Sequence, residues 1–328
     1  MRKLFMTIVI LSYTLASQAQ DPQFSQFYAA PLYLGPSMAG ASEFSRIILN
    51  YRDQWPKLNG RFVTYSLSFD KFIEKYRSGV GVIFLRDNAG GGKIATTQAG
   101  LDYSYRIPVN HNFFIQPGLQ FQYYQRKVNF NSLTFADQFY GDQILSSSVE
   151  TPPDNTPGHI DFSSSVMGFG KNFWIGFTVD HLMKLNQTLK DDDRFVPLKF
   201  SSFGGININI RQSLLRREEQ MISLAYQYRN QASMQQLDLG VYYHQFPFMI
   251  GLWYRGVPVI KSIKTHDAIT IAGGIEMKQF TFTYSYDMTI SSLVTSTGGA
   301  HEIAMIYNFN ANNQGRRRRM APVPCPRF

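Results

Sequence analysis

The segment Phe280-Thr281-Phe282-Thr283-Tyr284-Ser285-Tyr286-Asp287 decides the class of fold, because aromatic rings occupy every second position and polar side chains the positions between them. Successive side chains of a β-strand point to opposite faces, so this segment has one apolar and one polar face. The segment Val63-Thr64-Tyr65-Ser66-Leu67-Ser68-Phe69-Asp70 repeats the pattern. Alternation of this kind over about ten residues is typical of strands in a membrane β-barrel.

The same alternation recurs along most of the chain. It is clean near 98–106, 115–123, 222–229, 236–244 and 302–309, and weaker near 44–53, 79–87, 158–169, 171–180, 199–210, 247–256 and 266–276. With the two segments above, this makes about fourteen strands, and an even number suits a bacterial barrel with both ends in the periplasm. The sequence therefore predicts an all-β protein, a transmembrane antiparallel β-barrel of about fourteen strands over 44–309.

Composition agrees with a membrane barrel. Of the 328 residues, 17% are charged and 15% are aromatic, and the formal net charge is +9. The charged fraction is below the roughly 25% of soluble domains. Beyond the N-terminus the chain has no apolar run of about 18 residues, which excludes a helical membrane protein. A soluble β-sandwich would also alternate, but it would not need so many strands.

The charged residues within the predicted strands test this interpretation. All of the following lie on the polar side of their strand: Asp102, Arg106, Asp161, Asp180, Arg229, Asp238, Arg255, Glu276 and Glu302. A Lys or Arg that faced lipid at the bilayer midplane would cost about 2–4 kcal/mol. Random placement would put about half of these charges on the lipid side, so the pattern indicates an apolar exterior and a polar interior.

The connections between strands fall into two groups at opposite ends of the predicted barrel. Short turns are predicted at 72–78, 170–172, 211–217, 244–247 and 277–279, and longer loops at 128–157, 181–197, 257–265 and 289–299. Outer-membrane barrels have short periplasmic turns and longer extracellular loops. We therefore expect the turns and both termini on the periplasmic side.

An export signal precedes the barrel. Arg2 and Lys3 are followed by a mostly apolar stretch at 4–15, and Ser17-Gln18-Ala19 supplies small residues for signal peptidase. We expect residues 1–19 to be a signal peptide, since the apolar stretch is too short for a membrane anchor. No Cys stands directly after it, so a lipoprotein is not expected.

Two segments lie outside the alternating region. Residues 20–43 contain three prolines among aromatic residues, which argues against a strand or a regular helix. This segment either enters or lies beneath the barrel lumen, or it is an ordered lead-in to the first strand. Residues 310–328 form a basic, proline-containing tail, predicted to be extended and periplasmic.

Signals for catalysis, cofactors or metals are absent from the sequence. The six His residues form no H-E-x-x-H pair, and Gly90-Gly91-Gly92-Lys93 lacks the Ser or Thr that completes a phosphate-binding loop. No catalytic residue, cofactor or metal ligand is therefore expected. Cys325 is the single cysteine, and it either forms a mixed disulfide with a partner or is an idle thiol.

Three groups of motifs resemble those of one family. Gln20-Asp21-Pro22-Gln23-Phe24-Ser25-Gln26-Phe27-Tyr28 is similar to the mature start of the PorP/SprF family, and Tyr51-Arg52-Asp53-Gln54-Trp55-Pro56 resembles its "YRNQWP" signature, with Asp53 where Asn is usual. Gly299-Ala300-His301-Glu302-Ile303 resembles its "GSHEI" segment. The family-motif residues are Asp21, Pro22, Gln23, Phe24, Tyr51, Arg52, Gln54, Trp55, Pro56, His301 and Glu302.

The resemblance implies an integral outer-membrane component of the type IX protein secretion system. It implies two kinds of protein partner: secreted adhesins with a type B C-terminal domain, including gliding adhesins, and the periplasmic PorK–PorN ring with its PorE linker. The alternative is a porin-like solute diffusion channel, and an outer-membrane lipase or protease is a third reading.

Basic residues on the predicted periplasmic side form a candidate partner-binding surface. They are Arg216, Arg217, Arg316, Arg317, Arg318 and Arg319. They either attract acidic surfaces of partner proteins, or they pair with anionic lipid groups or stay solvated. Predicted export makes nucleic acid an unsuitable partner for the arginine run.

Overall fold

The computed structural model describes most of the barrel region and the segment before it. The described residues are 21–42, 44–130, 133–140, 143–145, 148–149, 158–183, 195–211, 220–232, 234–257, 268–290, 297–309 and 323–324. The predicted signal peptide, the six candidate partner-binding arginines and Cys325 lie outside them.

Fourteen antiparallel strands form one closed barrel. The strands are β1 (Arg46–Gln54), β2 (Phe62–Ile73), β3 (Ser78–Ala89), β4 (Ile94–Tyr105), β5 (Phe114–Val128), β6 (Gly158–Phe169), β7 (Phe173–Asp180), β8 (Lys199–Arg211), β9 (Gln220–Gln231), β10 (Met234–Gln245), β11 (Phe248–Val257), β12 (Ala268–Met277), β13 (Phe280–Thr289) and β14 (Ala300–Asn308). Each strand pairs with the next, and β14 pairs with β1 in a register that runs from Arg46 opposite Asn308 to Gln54 opposite Ala300. Closure leaves no unpaired strand edge, which a sheet in hydrocarbon requires.

The predicted fold class is confirmed. Every predicted alternating segment overlaps one of the strands, with differences at the ends. The largest difference is β5, which continues to Val128, beyond the predicted end at 123. Tyr124 explains it: this aromatic residue faces the lumen and is 2% exposed, so it interrupts the polar side of the alternation without ending the strand.

The outer wall is apolar around the barrel. Outward-facing Leu101, Leu119 and Ile250 are 60%, 62% and 63% exposed, far more than a soluble surface of connected aliphatic residues would tolerate. Ring pairs lie near both ends of the wall. They include Phe280–Tyr307 with ring centroids 4.8 Å apart, Phe113–Phe173 at 6.1 Å and Tyr51–Tyr65 at 5.3 Å. Such aromatic girdles mark the two interfaces of an outer-membrane barrel.

The two ends of the barrel differ in their connections. The end that carries the connections 74–77, 106–113, 170–172, 212–219, 246–247 and 278–279 is here called the turn end. The opposite end, called the loop end, carries the long connections 129–157 and 181–198 together with the tight hairpins 90–93 and 232–233. Among the described residues no helix has the length and apolarity of a membrane span.

Candidate functional site: the plugged lumen

Residues 21–42, called the plug, lie inside the barrel lumen. The plug consists of one helical turn, Pro31–Leu34, between two 3-10 turns, Phe27–Ala29 and Pro36–Met38. Pro31 and Pro36 open their turns at the first helical positions, where a missing N–H costs nothing. Nearly the whole plug from Phe24 onward is buried, so the structure supports the lumenal interpretation of this segment.

Glycines on the inner wall make room for the plug. A Cβ atom at Gly79 would overlap the carbonyl of Ala39, and one at Gly118 would overlap the main chain at Ser37. Both glycines stand on the inward side of their strands, β3 and β5. Because only glycine allows such close approach of two backbones, the turn-end half of the plug is held tightly against the wall.

Wall side chains hydrogen-bond the main chain of this tight half. Gln116 Nε2 donates to the carbonyl oxygens of Ser37 and Ala39 over 2.7 and 3.0 Å. Arg106 Nη2 donates to the carbonyl of Gly40 over 3.0 Å, and the Gly40 N–H donates to Asp70 Oδ2 over 3.0 Å. These wall groups satisfy plug main-chain groups that no strand or long helix could pair.

Arg52 organises an ion-pair network in the loop-end part of the lumen. Its guanidinium lies 2.8 Å from Asp287 and 3.1 Å from Glu302, and all three side chains are almost fully buried. Glu302 also accepts hydrogen bonds from two consecutive plug amides, those of Ser25 at 2.7 Å and Gln26 at 3.1 Å. One carboxylate thus joins the plug to the wall.

The ion pairs continue across the wall. Arg255 lies 3.1 Å from Asp287 and 3.8 Å from Asp238, and Arg229 lies 2.7 Å from Asp238. Arg52, Arg255 and Arg229 therefore balance Asp287, Glu302 and Asp238 in charge. Removing charges from water is costly, so a buried network of this kind fixes geometry rather than adding much stability.

A second ionic contact, called the Asp21 clasp, holds the first described residue of the plug. Asp21 Oδ2 lies 2.9 Å from His181 Nε2 and 3.1 Å from Lys199 Nζ, while His181 Nδ1 lies 2.8 Å from Asp161 Oδ2. Burial alone would lower the pKa of His181, but the charge of Asp21 and hydrogen bonds to Asp161 and Asp21 raise it to about 10. Burial would raise the pKa of Asp21, yet Lys199 and His181 hold it well below its usual range.

The Asp21 clasp predicts a loss of stability in alkali. A histidine whose folded pKa is about 10 contributes fully below its ordinary value of about 6.5, and this contribution is lost as the pH rises through 10. The lowered pKa of Asp21 matters in acid, because the contribution of Asp21 to stability is lost as the pH falls below about 3.8. We expect the thermal midpoint of the detergent-solubilised protein to fall between pH 7 and pH 10.5.

The His181→Gln variant is the control for this prediction. It removes the titrating imidazole, so its thermal midpoint should start lower at pH 7 and change less between the two pH values. Equal slopes for both proteins would contradict the assignment of the alkaline transition to His181.

An aromatic cluster packs against the plug. Phe27 contacts Trp253 with ring centroids 4.9 Å apart, and Tyr28 contacts Tyr242 at the same distance, both edge-on. Edge-on pairs add about 0.5–1.5 kcal/mol each beyond burial. Sequence reasoning missed these wall aromatics because it treated the inner side as polar. The signal that could have found them is that Tyr242 and Trp253 occupy inward positions in the alternation of β10 and β11.

The structure separates the family-motif residues into two groups. Asp21, Pro22, Gln23, Phe24, Arg52, Gln54 and Glu302 belong to the plug or to the wall around it, whereas Tyr51, Trp55, Pro56 and His301 lie on the outer face or the loop-end rim. His301 Nδ1 and the Tyr284 hydroxyl are 2.8 Å apart, on the opposite side of β14 from Glu302. Trp55 has a left-handed φ of 59°, and its N–H donates to the Gly299 carbonyl over 2.8 Å.

The plug is also held by wall residues outside the family-motif set listed above. Asp70, Gln116, His181 and Lys199 contact it directly, and Asp161 and Arg255 contact His181 and Asp287 within the wall. Some of these had been placed on the polar side of a strand, but their partners depend on which strands the barrel brings together. Within the described ranges, no group of three or more His, Cys, Asp and Glu residues could hold a metal ion.

A closed barrel with an apolar, aromatic-ringed exterior and a peptide inside its lumen defines the class as a plugged outer-membrane β-barrel. The chain belongs to the type IX secretion system membrane protein PorP/SprF family, whose model matches residues 16–307.

Two solved structures of transporters are similar to this chain. The toluene transporter TbuX of Ralstonia pickettii has a TM-score of 0.51 and 10% identity, over 86% of this chain and 94% of that chain. The toluene transporter TodX of P. putida has a TM-score of 0.49 and 9% identity, over 84% and 92%. Identities this low concern the fold alone. No curated protein matches the sequence.

Proposed function

We propose that this protein is a plugged docking component of type IX secretion, which binds protein partners at its two ends rather than conducting solutes. Secreted cargo, namely adhesins with a type B C-terminal domain and including gliding adhesins, binds at the loop end. Periplasmic components of the PorK, PorN and PorE type bind at the turn end. The plug is the observation that carries this proposal, together with family membership.

The plug argues against the porin-like alternative. A fourteen-stranded barrel has an interior wide enough for a channel only if nothing fills it. Here the plug touches opposite parts of the wall, since Gln26 Nε2 donates to Ser285 Oγ on β13 over 2.9 Å and Thr178 Oγ1 on β7 donates to the Leu34 carbonyl over 3.0 Å.

The turn end is the side we assign to the periplasmic partners. Phe309 and Val323 flank the arginine run, and both lie at this end. The Val323 N–H donates to the Ala41 carbonyl over 3.0 Å, and Asn207 Nδ2 donates to the Pro324 carbonyl over 2.6 Å. These anchors support a periplasmic role for Arg216, Arg217, Arg316, Arg317, Arg318 and Arg319 in docking acidic partner surfaces.

Replacement of Arg316, Arg317, Arg318 and Arg319 by Gln should lower recovery of ring components in pull-downs. The loss should be about tenfold at low salt and smaller at high salt, because salt screens the attraction between opposite charges. Full recovery of partners with this variant would contradict the docking role of the tail. If the arginines instead pair with lipid, the recovery of ring components should not change.

Deletion of the whole protein tests the proposed function directly. We expect the adhesin to disappear from the cell surface, and we expect the purified wild-type barrel to carry adhesin with it. A deletion strain with normal surface adhesin would contradict the cargo role.

A further inference from the structure

We infer that the lumen is a polypeptide-binding site and that residues 21–34, the loop-end half of the plug, are exchangeable. The incoming ligand is a peptide segment of a secreted polypeptide that is neutral where it replaces Ser25 and Gln26, with a hydroxyl and an amide side chain followed by two aromatic rings. The inference rests on the proposed function for the source of this peptide.

The wall binds the exchangeable half in part through its main chain. Glu302 accepts the N–H groups of Ser25 and Gln26, Asn50 Nδ2 donates to the Ala29 carbonyl over 2.9 Å, and Thr178 donates to the Leu34 carbonyl. Main-chain groups are the same in every peptide. The wall is therefore suited to an irregular polypeptide in general, and not only to its own N-terminal segment.

Side-chain contacts define which peptides fit best. The Ser25 hydroxyl donates a hydrogen bond to Asp287 over 2.6 Å, and the Gln26 side-chain amide donates one to the Ser285 hydroxyl. The next two residues place rings against Trp253 and Tyr242. Because the surrounding arginines and carboxylates already balance, a charged residue in place of Ser25 or Gln26 would be buried without a partner. The ligand must be neutral at these positions.

Two cavities border the exchangeable half of the plug. A cavity of about 40 Å³ lies between Phe24, Tyr33 and the β8–β10 wall, and another of about 30 Å³ lies on the opposite flank, between Tyr33 and β3–β5. Each has room for only a few water molecules. Buried Arg229 Nε and Gln231 Nε2, on the wall of the first cavity, have no hydrogen-bond partner among the described residues. Residues 36–41, by contrast, are seated against the wall glycines, so exchange starts from the loop end.

The test uses the full mature chain and a labelled synthetic peptide of residues 21–34. The tethered segment competes at millimolar effective concentration, so wild-type protein should bind the peptide weakly. The Ser25→Pro chain loses the amide that donates to Glu302, and its affinity for the wild-type peptide should rise at least about tenfold. A Ser25→Pro peptide should bind this chain at least about tenfold more weakly, and a scrambled peptide should not compete.

Two outcomes would overturn the inference. One is a folded Ser25→Pro barrel that binds no peptide, and the other is equal binding of the scrambled peptide. If Ser25→Pro does not fold, Gln26→Ala serves in its place, since it removes only side-chain contacts. Adhesin co-purification from the wild-type protein is scored separately. Failed peptide binding with retained adhesin would refute the exchange alone, whereas lost adhesin with retained peptide binding would refute the cargo role.

Discussion

Substituting Gly118 by valine opens a conducting pore in a protein that is otherwise closed. A Cβ at this position would overlap the main chain of Pro36 and Ser37. β5 cannot move outward to relieve the overlap because it is paired on both sides in a closed sheet. Valine suits a strand, so the barrel persists and the plug moves. In planar bilayers we expect wild-type protein to show no steady current and Gly118→Val to raise the mean current at least about tenfold, as an emptied barrel of this size permits.

Two further substitutions sharpen this measurement. Gly79→Val places its side chain against the Ala39 carbonyl and should act in the same direction. Gly60→Ala is the matched control, since nothing lies within 4 Å of its added Cβ, and it should leave the current unchanged. A wild-type barrel with a steady open current would restore the solute channel as the better function.

Replacing Arg52 by alanine strongly destabilises the protein. The variant leaves Glu302 buried without its only cationic contact described here and leaves Asp287 with Arg255 alone. Breaking a buried ion pair by removing one partner costs about 3–5 kcal/mol. We expect a loss of this size in the free energy of unfolding, measured by denaturant titration in detergent, together with greater protease access to the plug.

Arg61→Ala is the control for charge removal. Arg61 is 53% exposed and lies 3.7 Å from Asp53, so its loss should cost at most about 1 kcal/mol. The Arg52→Gln and Glu302→Gln double variant should lose less than the sum of the single variants, because the two groups interact directly. An Arg52→Ala protein as stable as Arg61→Ala would show that the ion pairs of Arg52 do not hold the plug.

Alternation made the wall of the barrel predictable. Each strand with an alternating sequence like that of residues 280–287 must present apolar side chains to the lipid and polar side chains to the lumen. A local pattern with a period of two residues therefore predicts where a strand lies and which of its faces is apolar. The family resemblance likewise depended on short local motifs, and the family is confirmed. The same motifs did not show that Arg52, Asp287 and Glu302 meet, since these residues stand far apart in the chain.

The residues that fill the lumen, and the contacts they make, could not be predicted from local sequence patterns. Gly79 and Gly118 look like ordinary glycines in a strand until the plug backbone is seen against them. Phe27 and Trp253 likewise gave no sign of pairing. Which inward residues meet depends on strand order, register and barrel closure, and these bring distant segments together.

By itself, the sequence determined that this chain forms an alternating β-barrel of the PorP/SprF family. Only the tertiary structure decided that the barrel is filled and which side chains hold the filling. The reason is that alternation along the chain decides which side chains of a strand face the lipid and which face the lumen. The plug, in contrast, is held by hydrogen bonds and ion pairs from strands on several sides of the closed sheet.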